Sequence, residues 1–141
     1  MTRKNAGFTL IELMISVVVL AILGSLAMAS YRSSVLRSNR TDATTTLLRV
    51  SVAEEKYFLQ NSQYTADLAS AAPTGLGIGA STPLGYYSLA VTAGFTGSLA
   101  TSWKVTASAA GAQLKDIAAC QTLSIDDQGV RSPNDASGCW K

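Results

Sequence analysis

Between Lys4 and Arg32 the chain carries one side chain that is charged at neutral pH, Glu12, and it lies inside an apolar run over residues 8–29. A carboxylate inside a membrane-spanning helix costs about 2.5–3.5 kcal/mol on insertion scales, so its presence calls for a partner. Two further groups suggest chemistry of another kind. Cys120 and Cys139 are the only cysteines, and in an exported domain one disulfide between them is the natural reading. Asp126, Asp127 and Asp135 are an oxygen-rich set of the sort that binds calcium. Their spacing is not that of a calcium loop, and Asp-x-x-Gly at a strand end is ordinary turn chemistry, so no metal or cofactor is expected. Catalysis finds no support either: there is no His, no thiol beside a base, and no Gly-rich phosphate loop ahead of a helix.

The elements that must hold these groups follow from the apolar pattern. As a helix, residues 8–29 would be roughly 33 Å long, about the hydrocarbon thickness of a bilayer. From Ser30 the sequence turns amphipathic without a break. The first Pro is Pro73 and the only Gly between Phe8 and Leu59 is Gly24, so one helix is predicted to continue to about residue 60, roughly 80 Å in all. Leu36, Ala43, Leu47, Val50 and Tyr57 make its core-facing stripe, while Arg32, Arg37, Arg40, Asp42, Arg49, Glu54, Glu55 and Lys56 fall on the other faces. Residues 61–85 are rich in Gly, Pro, Ala and Ser and read as a long connecting loop.

Strand signals come next. Tyr87, Leu89 and Val91 alternate, then Trp103, Val105 and Ala107, then Leu123 and Ile125. A helix covering one face of an antiparallel sheet is an α+β arrangement. Cys120 is expected to open the last strong strand, with a turn over residues 125–129. A bridge to Cys139 would tie down the tail, Arg131 to Trp140, at on the order of 3 kcal/mol. Tyr86, Tyr87, Trp103 and Trp140 are candidates for an adhesive aromatic surface, although the alternation assigns Trp103 to the core.

The basic leader Met1-Thr2-Arg3-Lys4-Asn5-Ala6-Gly7, followed by Phe8-Thr9-Leu10-Ile11-Glu12, resembles the start of type IV pilin precursors. In that family a membrane peptidase cuts after the Gly and methylates the new N-terminal Phe. The resemblance implies cleavage between Gly7 and Phe8. The amine so created has an ordinary pKa near 7.7–8.0 and would lie one helical turn from Glu12. In the family this glutamate meets the amine of a neighbouring subunit, so Glu12 would pin the assembly register, because an unpaired buried charge penalises wrong ones. Asn39-Arg40-Thr41-Asp42-Ala43, Tyr86-Tyr87, the stretch from Cys120 to Asp126 and Gly138-Cys139-Trp140 are similar to the PilE-type minor pilins. One departure is Ala29, where many pilins carry a helix-bending Pro before the tyrosine matching Tyr31.

The resemblance implies a leader (1–7), a membrane and filament-core helix (8–29), an amphipathic head helix (30–60), a connecting loop (61–85) and a sheet with a disulfide-closed loop (86–141). It implies a pilus subunit and not an enzyme, serving adhesion, twitching motility or DNA uptake. Its partners would be the prepilin peptidase, other major and minor pilins, and the inner-membrane assembly platform with its motor ATPases. The precursor would sit in the inner membrane with a periplasmic head and then move into an extracellular pilus. A type II secretion pseudopilin or a major pilin shares this outline. A secretory signal cut after Ala27-Met28-Ala29, releasing a binding module at Ser30, is the alternative of another class.

Charge adds little. Lys and Arg total 11 against 9 acidic residues, and losing Arg3 and Lys4 with the leader would leave the side chains balanced. Nucleic-acid binding therefore gains no support from net charge. Arg32, Arg37 and Arg40 just beyond the apolar run oppose the usual cytoplasmic excess of positive charge, so charge counting does not settle orientation.

Overall fold

The structure, a computed structural model, describes residues 7–140. One helix, α1 (Leu10–Asn61), leads into a four-stranded antiparallel sheet of β1 (Tyr87–Ala93), β2 (Trp103–Ala109), β3 (Thr122–Asp126) and β4 (Arg131–Ser132), ordered β1-β2-β3-β4. The chain divides into two compact units, Met1–Val35 and Leu36–Lys141.

In the first unit the apolar side chains face outward. Its large apolar residues between 8 and 28 are 48–81% exposed. The hydroxyls there are satisfied within the helix: Ser16 Oγ donates to the Glu12 carbonyl at 2.8 Å and Ser25 Oγ to the Ile22 carbonyl at 2.7 Å. A lipid or protein cover over residues 10–28 would therefore meet an apolar surface whose two serine hydroxyls are already satisfied, as a membrane requires.

In the second unit α1 buries Asn39, Ala43, Thr46, Leu47, Val50 and Glu54 against the sheet. Tyr87, Leu89 and Val91 on β1, Trp103, Val105 and Ala107 on β2, and Leu123 and Ile125 on β3 complete the core. The register places Leu89 opposite Ala107 and Val91 opposite Val105, and sets Ile125 on the far side of Val105. The inward residues of three strands thus form one continuous apolar layer, and Ser88, Ala90, Thr92 and Lys104 take the open face. A long helix packed on an antiparallel sheet is the α+β class expected.

Two features refine that expectation. The charged residues Glu54 and Arg40, assigned to outward faces, are drawn in: Glu54 is fully buried and the Arg40 side chain is only 14% exposed. Both positions lie on or beside the heptad line through Ala43, Leu47, Val50 and Tyr57, so helix geometry overrides their polarity. Cys120 does not open a strand. It closes a 3-10 turn (Ala118–Cys120) that follows another (Gly111–Lys115), and β3 starts at Thr122.

The connection between α1 and β1 is pinned throughout. Leu68 is buried, Tyr64 N donates to the Leu99 carbonyl at 2.9 Å, and Leu84 N donates to Asp42 Oδ2 at 3.1 Å. Leu89 N donates to the Ala80 carbonyl at 2.8 Å, so the end of the connection lies along the edge of β1. At Gly75 a Cβ would fall 2.6 Å from the Ser70 carbonyl oxygen, and only glycine fits that turn.

Candidate assembly site and disulfide-closed loop

At the N-terminal site, Gly7 and Phe8 precede the helix and Thr9 caps it. Thr9 Oγ1 accepts from the Glu12 N–H at 3.3 Å, and the Thr9 carbonyl accepts from Leu13 N at 3.2 Å. Thr-x-x-Glu is the capping-box pattern, yet only the threonine half of the box forms. The Glu12 carboxylate is exposed and has no hydrogen bond or ion pair among the described residues. Its place in the first turn suits the positive end of the helix dipole. The leader, with Arg3 and Lys4, lies outside the described residues.

The second site is built around the disulfide. Cys120 and Cys139 are bonded, with Cα atoms 5.3 Å apart, and both are fully buried. A hub of polar side chains fastens the loop to α1. Gln113 Oε1 accepts from Asn39 Nδ2 at 2.9 Å, and Gln113 Nε2 divides its two hydrogens among Asp116 Oδ2 (2.8 Å), the Tyr87 hydroxyl oxygen (3.1 Å) and the Leu36 carbonyl (3.2 Å). The Tyr87 hydroxyl donates to the Cys120 carbonyl at 3.0 Å, and burial pushes its pKa up. Arg40 Nη1 donates to Cys120 Sγ at 3.3 Å. Arg40 Nε lies 3.1 Å from Asp116 Oδ2 without aiming its hydrogen there, so that pair is Coulombic. Asn39, noted in the sequence only as part of a motif, and Arg40, assigned there to an outward face, are the helix side of this hub.

Other candidates resolve differently. Asp126 Oδ1 accepts from Gln128 N (3.1 Å) and Val130 N (2.9 Å), with Gly129 at φ +75°, which is turn chemistry. Among the described residues no group of acidic or thiol side chains could hold a metal, and the side chain of Asp135 lies outside them. The aromatic-surface reading is corrected: Tyr87 and Trp103 are fully buried, and Tyr86 and Trp140 pack partly buried against the core. Arg131 lies over the Trp140 ring, 5.2 Å from its centroid.

One functional group escaped the sequence. Glu54 Oε2 accepts from Thr65 N at 3.1 Å, while Oε1 is buried with no hydrogen-bond partner. Burial raises its pKa from 4.5 to about 7; the Thr65 N–H opposes this and Glu55 adds to it. The available signal was spacing, because position 54 follows Val50 by four and precedes Tyr57 by three.

Comparison with known proteins gives a consistent result. Residues 29–124 match the family described as type IV minor pilin ComP, DNA uptake sequence receptor, and residues 2–28 match the prokaryotic N-terminal methylation motif. The fimbrial protein EcpC of Eikenella corrodens is 31% identical over 99% of this chain and 82% of its own length. The type IV major pilin PilA of Myxococcus xanthus is 36% identical over 44% of this chain and 28% of its own. The wide-pilus major component PilA4 of Thermus thermophilus is 34% identical over 52% of this chain and 56% of its own. The match therefore spans less than two thirds of the length of these last two relatives. A solved type IV pilin from Shewanella oneidensis superposes with a TM-score of 0.53 at 27% identity, over 75% of this chain and 98% of that one. With an apolar N-terminal helix under the methylation motif and a head matched from residue 29 to 124, this chain belongs to the type IV pilins, in the ComP family of minor pilins.

Proposed function

We propose that the chain is a minor pilin precursor cut by prepilin peptidase between Gly7 and Phe8 and N-methylated at Phe8. Residues 8–29 then hold it in the inner membrane with the head in the periplasm. The assembly platform and its motor ATPases move it into a pilus among other pilins, and the chain itself catalyses nothing. The observation that carries this reading is the bare apolar surface of residues 8–28, broken by one carboxylate, Glu12, with no partner among the described residues. Burying that helix among others removes the apolar area from water, and the methylated amine of a neighbour supplies the missing cation. Glu12→Ala is expected to keep membrane insertion and lose most incorporation into sheared pili, read by immunoblot against the membrane fraction. Wild-type incorporation of Glu12→Ala contradicts the pairing.

A second reading rests on the family description, which names a DNA uptake sequence receptor. Overall neutrality does not exclude a local basic surface, and Arg37, Arg49, Lys56, Lys104 and Lys115 are all exposed. Full-length protein in detergent is expected to bind duplex DNA with an affinity that falls as salt rises. No binding at low salt removes DNA reception from this chain.

A further inference from the structure

The Arg40 guanidinium sits between a carboxylate and a sulfur, 3.1 Å from Asp116 Oδ2 and 3.3 Å from Cys120 Sγ. A sulfur already in a disulfide is a weak acceptor and gains little from a cation. The contact matters more in the chain before the bond closes. A thiol beside an arginine gives up its proton more readily, and the thiolate is the nucleophile of disulfide exchange. Cys120 is also positioned by bonds that do not need Cys139. Its carbonyl accepts from Tyr87 Oη, its N–H donates to the Ile117 carbonyl at 2.8 Å, and Gln121 Nε2 fastens the next residue to the Leu114 and Asp116 carbonyls. Cys139, although buried with the core, has its backbone held only from within its own tail among the described hydrogen bonds, its N–H donating to Ser137 Oγ at 3.3 Å.

We propose that Arg40 holds Cys120 as a thiolate in the reduced head, making it the resolving nucleophile that closes the disulfide. Cys139 first exchanges with the disulfide of a thiol oxidoreductase, or of a small disulfide such as oxidised glutathione. That step forms a mixed disulfide on Cys139 and releases one sulfur of the oxidant as thiolate. The Cys120 thiolate then attacks Cys139 Sγ. The Cys120–Cys139 bond forms, the bond from Cys139 to the oxidant breaks, and its electron pair leaves on the oxidant's second sulfur. Two protein thiols lose two electrons and two protons, and the oxidant disulfide becomes two thiols.

Among the described residues two charges are placed here, Arg40 from α1 against the sulfur and Asp116, from the segment between the two 3-10 turns, against Arg40, and they pull in opposite directions. Tyr87 from β1 faces the Cys120 carbonyl. In full-length Cys139→Ser protein in detergent, Cys120 is the only thiol, and its ionisation is read by thiolate absorbance at 240 nm. The midpoint is expected below the usual value of about 8.5. Adding Arg40→Met raises it by about one pH unit or more, and adding Asp116→Asn lowers it. In the two-cysteine chain, closure by oxidised glutathione at pH 7 slows about tenfold with Arg40→Met and quickens with Asp116→Asn. A hub that only shapes the loop gives a different result, in which both substitutions slow closure and neither moves the midpoint. A midpoint at or above 8.5, or one indifferent to Arg40, overturns the proposal.

Discussion

Glu54 carries the residue-scale consequence that is simplest to measure. Its carboxyl ionises at about 7 in the folded head and at an ordinary 4.5 when exposed, because burial disfavours the charge. A raised folded pKa means that the stabilising contribution is fully present below pH 4.5 and is lost as pH climbs through 7. Stability to urea is therefore expected to fall between pH 5 and pH 8, and Glu54→Gln is expected to flatten this dependence, gaining on the order of 2 kcal/mol at pH 8. A wild-type profile unchanged in Glu54→Gln contradicts the assignment. The disulfide has its own test at this scale. It closes a loop of sequence separation 19, and Cys139→Ser is expected to cost about 3 kcal/mol in the same denaturation. Glu12 and the two cysteines were legible in the sequence because each stands out from its surroundings as a single charge in an apolar run or as the only thiols present. Glu54 and Arg40 were not, because a charged side chain on a head helix reads as solvated until its Thr65 or Asp116 partner is brought near by the fold.

At the scale of elements, α1 and three of the strands were readable and the small pieces were not. Ala43, Leu47 and Val50 repeat at helical spacing and are all fully buried. The alternations in β1 and β2 match the buried positions one for one, and in β3 Leu123 and Ile125 are buried as expected but Ser124 between them is buried as well. β4 is two residues long and the 3-10 turns before Cys120 are three and five, too short for any periodicity to register. The long connection after α1 reads as irregular, and its order comes from contacts distant in sequence, such as Leu84 N on Asp42. One comparison checks the packing of α1. Leu47→Ala, at a fully buried site, is expected to lower stability by about 2–5 kcal/mol. Val52→Ala, at a site 71% exposed, is expected to stay within about 0.5 kcal/mol. Equal losses at both sites contradict the assigned face.

For the whole molecule, family membership makes it a pilin among pilins, and the apolar N-terminal helix fits a membrane-anchored precursor and an extracellular pilus. The head and the helix ask for different surroundings. The head buries its own core, whereas the large apolar side chains of residues 8–28 lie half to four-fifths bare and Glu12 is unpaired among the described residues. Such a surface is stable only in lipid or against other helices, and passage from one cover to the other is what assembly of a filament provides. The sequence carried this much through the motif at residues 7–12 and the apolar run over residues 8–29. It raised DNA uptake only as one of the roles the resemblance implies, because net charge averages over the surface on which a polyanion would bind. In the function we propose, the mature chain begins at Phe8 with its amine free to meet Glu12 of another subunit. The most direct test is the intact mass and N-terminal residue of the protein purified from its native membrane. N-methylated phenylalanine at position 8 is the predicted result, and a chain beginning at Met1 or at Ser30 contradicts the account.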